Sequence, residues 1–129
     1  MTKNKFESIK SIILSKDPTP LGYQFKYITE FNCYSDYNEF YEKVWYLDVG
    51  FVLKCNETFF NIKIKFEDVS SLKMEITGDE RLDIEGFIIR DKSKEGYEGR
   101  KKYFVEDYED DVLEFYCKNF DIISFSEFK

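Results

Sequence analysis

The stretch VWYLDVGFVLKCNETFFNIKIKF, residues 44–66, decides the fold. Its apolar residues recur at every second position, the spacing at which successive side chains of a strand fall on opposite faces. Trp45, Leu47, Val49, Phe51, Leu53 and Cys55 face one way, while Tyr46, Asp48, Gly50 and Lys54 face the other. After Asn56 and Glu57 the scheme repeats, with Phe60, Ile62, Ile64 and Phe66 inward and Asn61, Lys63 and Lys65 outward. Two such runs joined by a short turn predict a β-hairpin with one buried side.

Working outward from this hairpin, a period of two begins at Tyr23 and returns in LKMEIT (72–77), IEGFIIR (84–90), KKYFVED (101–107), VLEFYCK (112–118) and FDIISF (120–125). Gly78-Asp79, the glycines Gly96 and Gly99, and Asp110-Asp111 supply turn residues between them. Segment 35–43, SDYNEFYEK, reads two ways: Asp36 with Glu39 fits a helix cap, and Tyr37, Phe40 and Tyr41 stand at helical offsets, so a short helix is one expectation there. At the N-terminus, Asn4 and Glu7 fit a cap, and Phe6, Ile9 and Ile13 recur at helical spacing, predicting a helix over residues 1–17. Pro18, Pro20 and Gly22 stop it and make 18–22 a linker. Short strands without long intervening helices imply antiparallel pairing. The expected class is therefore α+β, an N-terminal helix packed on a curled antiparallel meander of about six to eight strands, in a single domain spanning 1–129.

Composition bounds the function. Hydrophobic residues make up 43% of the 129 and aromatic residues 19%, enough to fill a packed interior and to argue against disorder. The apolar runs, such as 12–14 and 51–53, fall far short of the roughly 20 residues that cross a bilayer. MTKNKFESIKSIILSKD lacks the apolar centre and cleavage site of a secretory signal, so a cytoplasmic location without membrane contact is expected. Three widely spaced cysteines, Cys33, Cys55 and Cys117, suit reduced thiols better than a disulfide framework, with Cys55 and Cys117 read as core. The chain has no histidine. Imidazole-dependent triads are thereby excluded, and a structural zinc site is not expected.

Neither a phosphate loop nor a dinucleotide fingerprint is present, GYEG at 96–99 reads as a turn, and EDYEDD at 106–111 lacks the spacing of a calcium loop. No cofactor and no metal are expected. A formal charge of −7 opposes nucleic-acid binding. The basic cluster of Arg100, Lys101 and Lys102 beside Tyr97 and Tyr103 is offset by Glu95, Glu98, Glu106 and Asp107, and reads as a charged hairpin end. Paired carboxylates are the acid–base chemistry left open, but nothing in the pattern marks a poised pair, so a non-enzymatic protein is expected.

The positive clue is acidic. Residues 106–111 place five carboxylates around one tyrosine. A turn needs fewer, and the surplus repels itself unless something positive lies opposite. Asp107, Tyr108, Glu109, Asp110 and Asp111, with a second acidic and tyrosine-bearing group at Tyr37, Glu39 and Tyr41, are the candidate contacts for a basic protein: tyrosine supplies area and carboxylates supply steering. The alternative is a small-ligand or regulatory module with a pocket in the concave sheet face, lined by residues such as Trp45, Tyr46 and Phe87.

IKIKFEDVSSLKMEI (62–76), IEGFIIRD (84–91) and an acidic turn before LEFYCKNFDI (113–122) together resemble the small antiparallel-sheet immunity proteins of bacterial polymorphic toxin systems. The resemblance covers the C-terminal two-thirds of the chain. It implies a protein that inhibits a cognate basic toxin by occlusion, and it transfers no catalytic residue.

Overall fold

The hairpin of the alternating stretch forms the middle of a five-stranded sheet. A computed structural model describes residues 23–55, 57–75, 82–84, 87–92, 102–107 and 113–127. These hold nine strands: β1 (Tyr23–Tyr37), β2 (Lys43–Cys55), β3 (Thr58–Glu67), β4 (Ser70–Met74), β5 (Leu82–Asp83), β6 (Phe87–Asp91), β7 (Tyr103–Asp107), β8 (Leu113–Cys117) and β9 (Asn119–Glu127). One sheet runs β5-β1-β2-β3-β9 and the other β4-β8-β7-β6, with antiparallel pairing throughout.

Two expectations are corrected. The described residues are all-β rather than α+β, with no helix among them; the 1–17 helix and the 18–22 linker lie outside the described residues. The strands also form two sheets, not one curled meander. The physical reason lies in the alternation itself, because a sheet with one apolar face must bury it against a second layer. Here the chain supplies that layer from its own later strands. It leaves the first sheet at Asp68 and Val69, touches it again where β5 pairs with β1, and returns to it finally through Lys118, so that β9 pairs with β3 while β8 pairs with β4.

The two inner faces meet in one cluster. Leu47, Val49, Phe51, Ile62, Ile64, Phe66, Phe120 and Ile122 come from the first sheet, and Phe87, Ile89, Tyr103, Val105, Leu113, Phe115 and Cys117 from the second. Aromatic pairs bridge the layers: Phe51 and Phe87 at 4.7 Å, Phe66 and Phe115 at 4.9 Å in a T-shape, Tyr103 and Phe120 at 5.1 Å in another. Edge-to-face rings add roughly 0.5–1.5 kcal/mol per pair beyond their area. Cys117 is buried as read from the sequence; the Cys55 side chain lies outside what is described. Strand β2 departs from its simple pattern, because Val44, Tyr46 and Val52 are buried on its other face while Trp45, placed inward by alternation, is 54% exposed.

Strand β1 departs further. Its pairing with β2 shifts between Phe25 and Tyr27 and again between Ile28 and Glu30, so Phe25, Ile28 and Phe31 oppose Leu53, Phe51 and Val49 at a spacing of three. Each shift is a β-bulge that inserts one residue and sharpens the twist. The second bulge explains Gly50. A Cβ there would lie 2.9 Å from Thr29 Oγ1 and 3.1 Å from Glu30 Cβ. With no side chain at Gly50, which stands between Glu30 and Lys63 in the ladder, those two close an ion pair of 3.0 Å over it. Gly50→Ala is expected to lower the unfolding free energy by about 1–3 kcal/mol through overpacking. Urea denaturation checks this, and adding Thr29→Ala should recover part of the loss; an unchanged midpoint in the single variant would show that the approach is not tight.

Candidate functional site

One end of the sandwich gathers most of the exposed aromatic side chains described, Phe59 at the β2–β3 hairpin being the exception. Strand β1 turns into β2 through residues 38–42, and Asn38 organises that turn. Its carbonyl accepts from the Tyr41 N–H at 3.0 Å, its N–H donates to the Glu42 carbonyl at 2.9 Å, and its Oδ1 accepts from the N–H groups of Phe40 at 2.8 Å and Glu42 at 3.0 Å. This is a type I turn closed by a residue in the left-handed region, the common three-residue hairpin loop. The short helix considered for 35–43 is thereby corrected to a hairpin end. Asp36 accepts from its neighbour Tyr37 N–H at 2.7 Å instead of capping a helix, and the Asn38 side chain satisfies the backbone donors locally.

The left-handed position is Tyr41, with φ of 60°. Glycine takes such a position without cost, whereas a residue with a Cβ loses roughly 1–2 kcal/mol. Packing does not compensate, because Tyr41 is 87% exposed. Tyr37, Phe40 and Trp45 are exposed beside it, as are the carboxylates of Asp36, Glu39 and Glu42. Lys118, at the β8–β9 junction, sits 5.5 Å from the Phe40 ring centre, which draws the tip toward the sheet crossing.

That crossing completes the site. The Val69 N–H donates to the Trp45 carbonyl at 2.9 Å, and the Lys118 N–H to the Glu67 carbonyl at 2.9 Å. Asp68 and Ser71 hold φ of 58° and 55°, so all three positive-φ non-glycine residues described lie at this end. Between the crossing and β1 runs a groove of about 280 Å³ lined by Cys33, Trp45, Val69, Ser70, Ser71 and Leu72. On the opposite face of the hairpin base, Tyr34 and Tyr46 stack at 5.5 Å, and Lys65 lies 5.0 Å from the Tyr46 ring and 6.0 Å from that of Tyr34. Burial pushes the Tyr46 hydroxyl above its ordinary pKa, Glu67 adds to this and Lys65 partly offsets it. Desolvation works against the Lys65 charge, yet a hydrogen bond to Tyr34 and the negative potential of Asp48 outweigh it and hold the pKa above the ordinary lysine value.

The two sequence-predicted groups fare differently. Tyr37, Glu39 and Tyr41 come together, exposed, on the hairpin end. Tyr108, Glu109, Asp110 and Asp111 lie outside the described residues. Asp107 is 1% exposed and sits on the inner face of β7 with Tyr103 and Val105, so its carboxylate is not on the accessible surface. It lines a second groove of about 450 Å³ with Glu75, Glu106 and Glu114, where Glu106 pairs with Arg90 at 3.0 Å and Glu114 with Lys73 at 3.7 Å. Trp45, Tyr46 and Phe87 do not converge: Tyr46 is buried on the β2 face opposite Trp45, and Phe87 is packed on Phe25 and Phe51 in the core. Among the described residues no cluster of three or more Cys, Asp or Glu could hold a metal ion, and no helix is long and apolar enough to cross a membrane. Phe40, placed by the sequence at a helical offset, and Trp45, placed inward on its strand and named there as a pocket-lining residue, are both exposed at this end. Compared with protein families, with curated proteins and with solved structures, the chain finds no match.

Two measurements check this geometry. Tyr41→Gly should raise stability by about 0.5–1 kcal/mol, the left-handed strain relieved less the added freedom of the unfolded chain; a loss would mean that the ring is held by packing. Folding favours neutral Tyr46 and charged Lys65, so both contributions are complete below their unfolded values of 10.0 and 10.5 and fade as pH rises through the higher folded ones. Stability should therefore fall above about pH 10, and Lys65→Met should move the last tyrosine seen by ultraviolet titration still higher.

Proposed function

We propose that the chain is a non-enzymatic binding protein that neutralises a basic toxin domain, with the β1–β2 hairpin end as its contact surface. The observation that carries this reading is the exposure of Tyr37, Phe40, Tyr41 and Trp45 among Asp36, Glu39 and Glu42. Large aromatic side chains at a surface lose little rotamer entropy on contact and dominate binding energy where they become desolvated. The carboxylates favour a cationic partner and exclude an acidic one. Tyr41 supports the reading most directly, because it costs folding energy where it stands and its ring packs on little of its own protein. Strain of this kind collects at functional sites. The likeness to immunity proteins supplies the toxin as the class of partner, and occlusion as the mode, since a bound hairpin blocks access without chemistry of its own.

Co-purification with a toxin domain encoded beside the gene, together with rescue of cells expressing it, tests the proposal. Tyr37→Ala and Tyr41→Ala should each weaken the complex by roughly tenfold, the scale of a central aromatic contact. Association should also slow as ionic strength rises from low to physiological values. A toxin-domain neighbour that neither binds nor is neutralised overturns the reading.

A further inference from the structure

We infer that the groove between Trp45 and the sheet crossing is a socket for one apolar side chain of the partner, flanked on the partner's chain by lysine or arginine. The inference rests on the binding role proposed for the hairpin end and specifies what that partner carries. Size comes first. Pockets that enclose small-molecule ligands run to roughly 300–1,000 Å³, while this one holds about 280 Å³. That volume, at the foot of the range, has room for a single large side chain.

The lining points the same way. Trp45, Val69, Leu72 and the thiol of Cys33 give an apolar wall, and Trp45 stays 54% exposed because nothing among the described residues covers it. An exposed tryptophan at the rim of an apolar depression is the arrangement from which interface hot spots are built. Ser70 lines the same groove, and its buried Oγ has no hydrogen-bond partner among the described residues. An unsatisfied buried hydroxyl costs roughly 1–3 kcal/mol. A backbone group of an occupying chain relieves that cost once the side chain turns to another staggered rotamer. Ser71, held in the left-handed region, shapes the wall.

Charge sets the flanks. Asp36, Glu39 and Glu42 are exposed within the ten residues that end at Trp45, against Lys43 as the cation of that segment. A partner segment whose anchor fills the groove carries its neighbouring residues over this acidic rim. Lysine or arginine there gains, and aspartate or glutamate is repelled.

The test selects phage-displayed random peptides on the immobilised full chain. Enriched peptides should carry Phe, Trp or Leu flanked by Lys or Arg. Alkylation of the folded Cys55→Ser protein with N-ethylmaleimide, mapped to Cys33 by mass spectrometry, fills the groove without a mutation in its lining and should weaken those peptides at least about tenfold; Cys117 is buried and shielded from the reagent. Leu72→Lys should do the same in a variant whose thermal melting remains cooperative. Enrichment of acidic or wholly polar peptides overturns the inference, as does binding unchanged by Cys33 alkylation. Peptides lost on Tyr37→Ala and Tyr41→Ala but indifferent to alkylation would remove the socket while leaving the hairpin reading intact. No enrichment at all removes both. A chain that self-associates in sedimentation, and dissociates on Cys33 alkylation, would assign the groove to a second copy and overturn the partner named here.

Discussion

Two strand pairs turning one corner together hold this molecule in shape. Strand β3 passes into β4 through Asp68 and Val69, and β8 passes into β9 through Lys118, so the ladder that pairs Glu67 with Asn119 continues beyond the bend as Ser70 with Tyr116. The hydrogen bond from Lys118 N–H to the Glu67 carbonyl, 2.9 Å long, carries the pairing across it. Strands that switch sheets in this way form the corners of packed β structures. The inside of the bend is filled by rings that flank it in sequence: Phe66 meets Phe115 edge-on at 4.9 Å and Phe120 at 6.1 Å. Without the corner, each sheet would expose the apolar face that the other now covers.

The same bend creates the candidate site. Closing the core on its inner side brings Val69–Leu72 against the base of the β1–β2 hairpin on its outer side, where Trp45 is left at the edge of the groove. Left-handed residues are tolerated there because of relative magnitudes. Each costs roughly 1–3 kcal/mol, whereas burying one Phe side chain contributes about 1.5–3 kcal/mol, and Phe51, Phe66, Phe115 and Phe120 are all fully buried. The core can therefore sustain Tyr41, Asp68 and Ser71 at the rim, and the strain concentrates at the end where the exposed aromatic residues stand.

Legibility followed locality. The β2–β3 hairpin could be read because alternation is a property of neighbouring residues, and Leu47 through Leu53 with Ile62 through Phe66 obey it. The later strands were visible for the same reason, and Cys117 fell in the core with the alternating residues of β8. Strand β1 resisted, since its two bulges stretch the spacing of Phe25, Ile28 and Phe31 to three and blur the period. The partition into two sheets was not legible, because it depends on β9 choosing β3, a pairing between residues far apart in the chain. At 35–43 a helix cap and a hairpin turn use the same residue types, Asp, Asn and Glu; the choice of Asn38 over Asp36 as organiser fixed the outcome, and with it the exposure of Phe40 and Tyr41. Of the candidate contacts, the sequence found the tyrosines by their acidic company but offered Trp45 only as the lining of a pocket with Tyr46 and Phe87, because its place in an apolar series concealed that the series outruns the core.

Charge and aromatic contact have separate parts in such a surface. At physiological ionic strength the field of an exposed carboxylate decays over about 8 Å, so a formal charge of −7 speeds encounter but adds little to the lifetime of a complex. Part of the acidity is also engaged within the fold, as Glu30 with Lys63, Glu106 with Arg90 and Glu114 with Lys73 demonstrate. Those pairs contribute a few tenths of a kcal/mol up to about 1 kcal/mol each and little long-range field. In the proposed complex residence would then come from surface that excludes water, and among the described residues most of the exposed aromatic surface lies between Tyr37 and Trp45. Under the proposed role, acidity distributed over the chain would attract many cations alike, and it is the hairpin holding aromatic rings beside a shaped groove that would distinguish one partner from the rest.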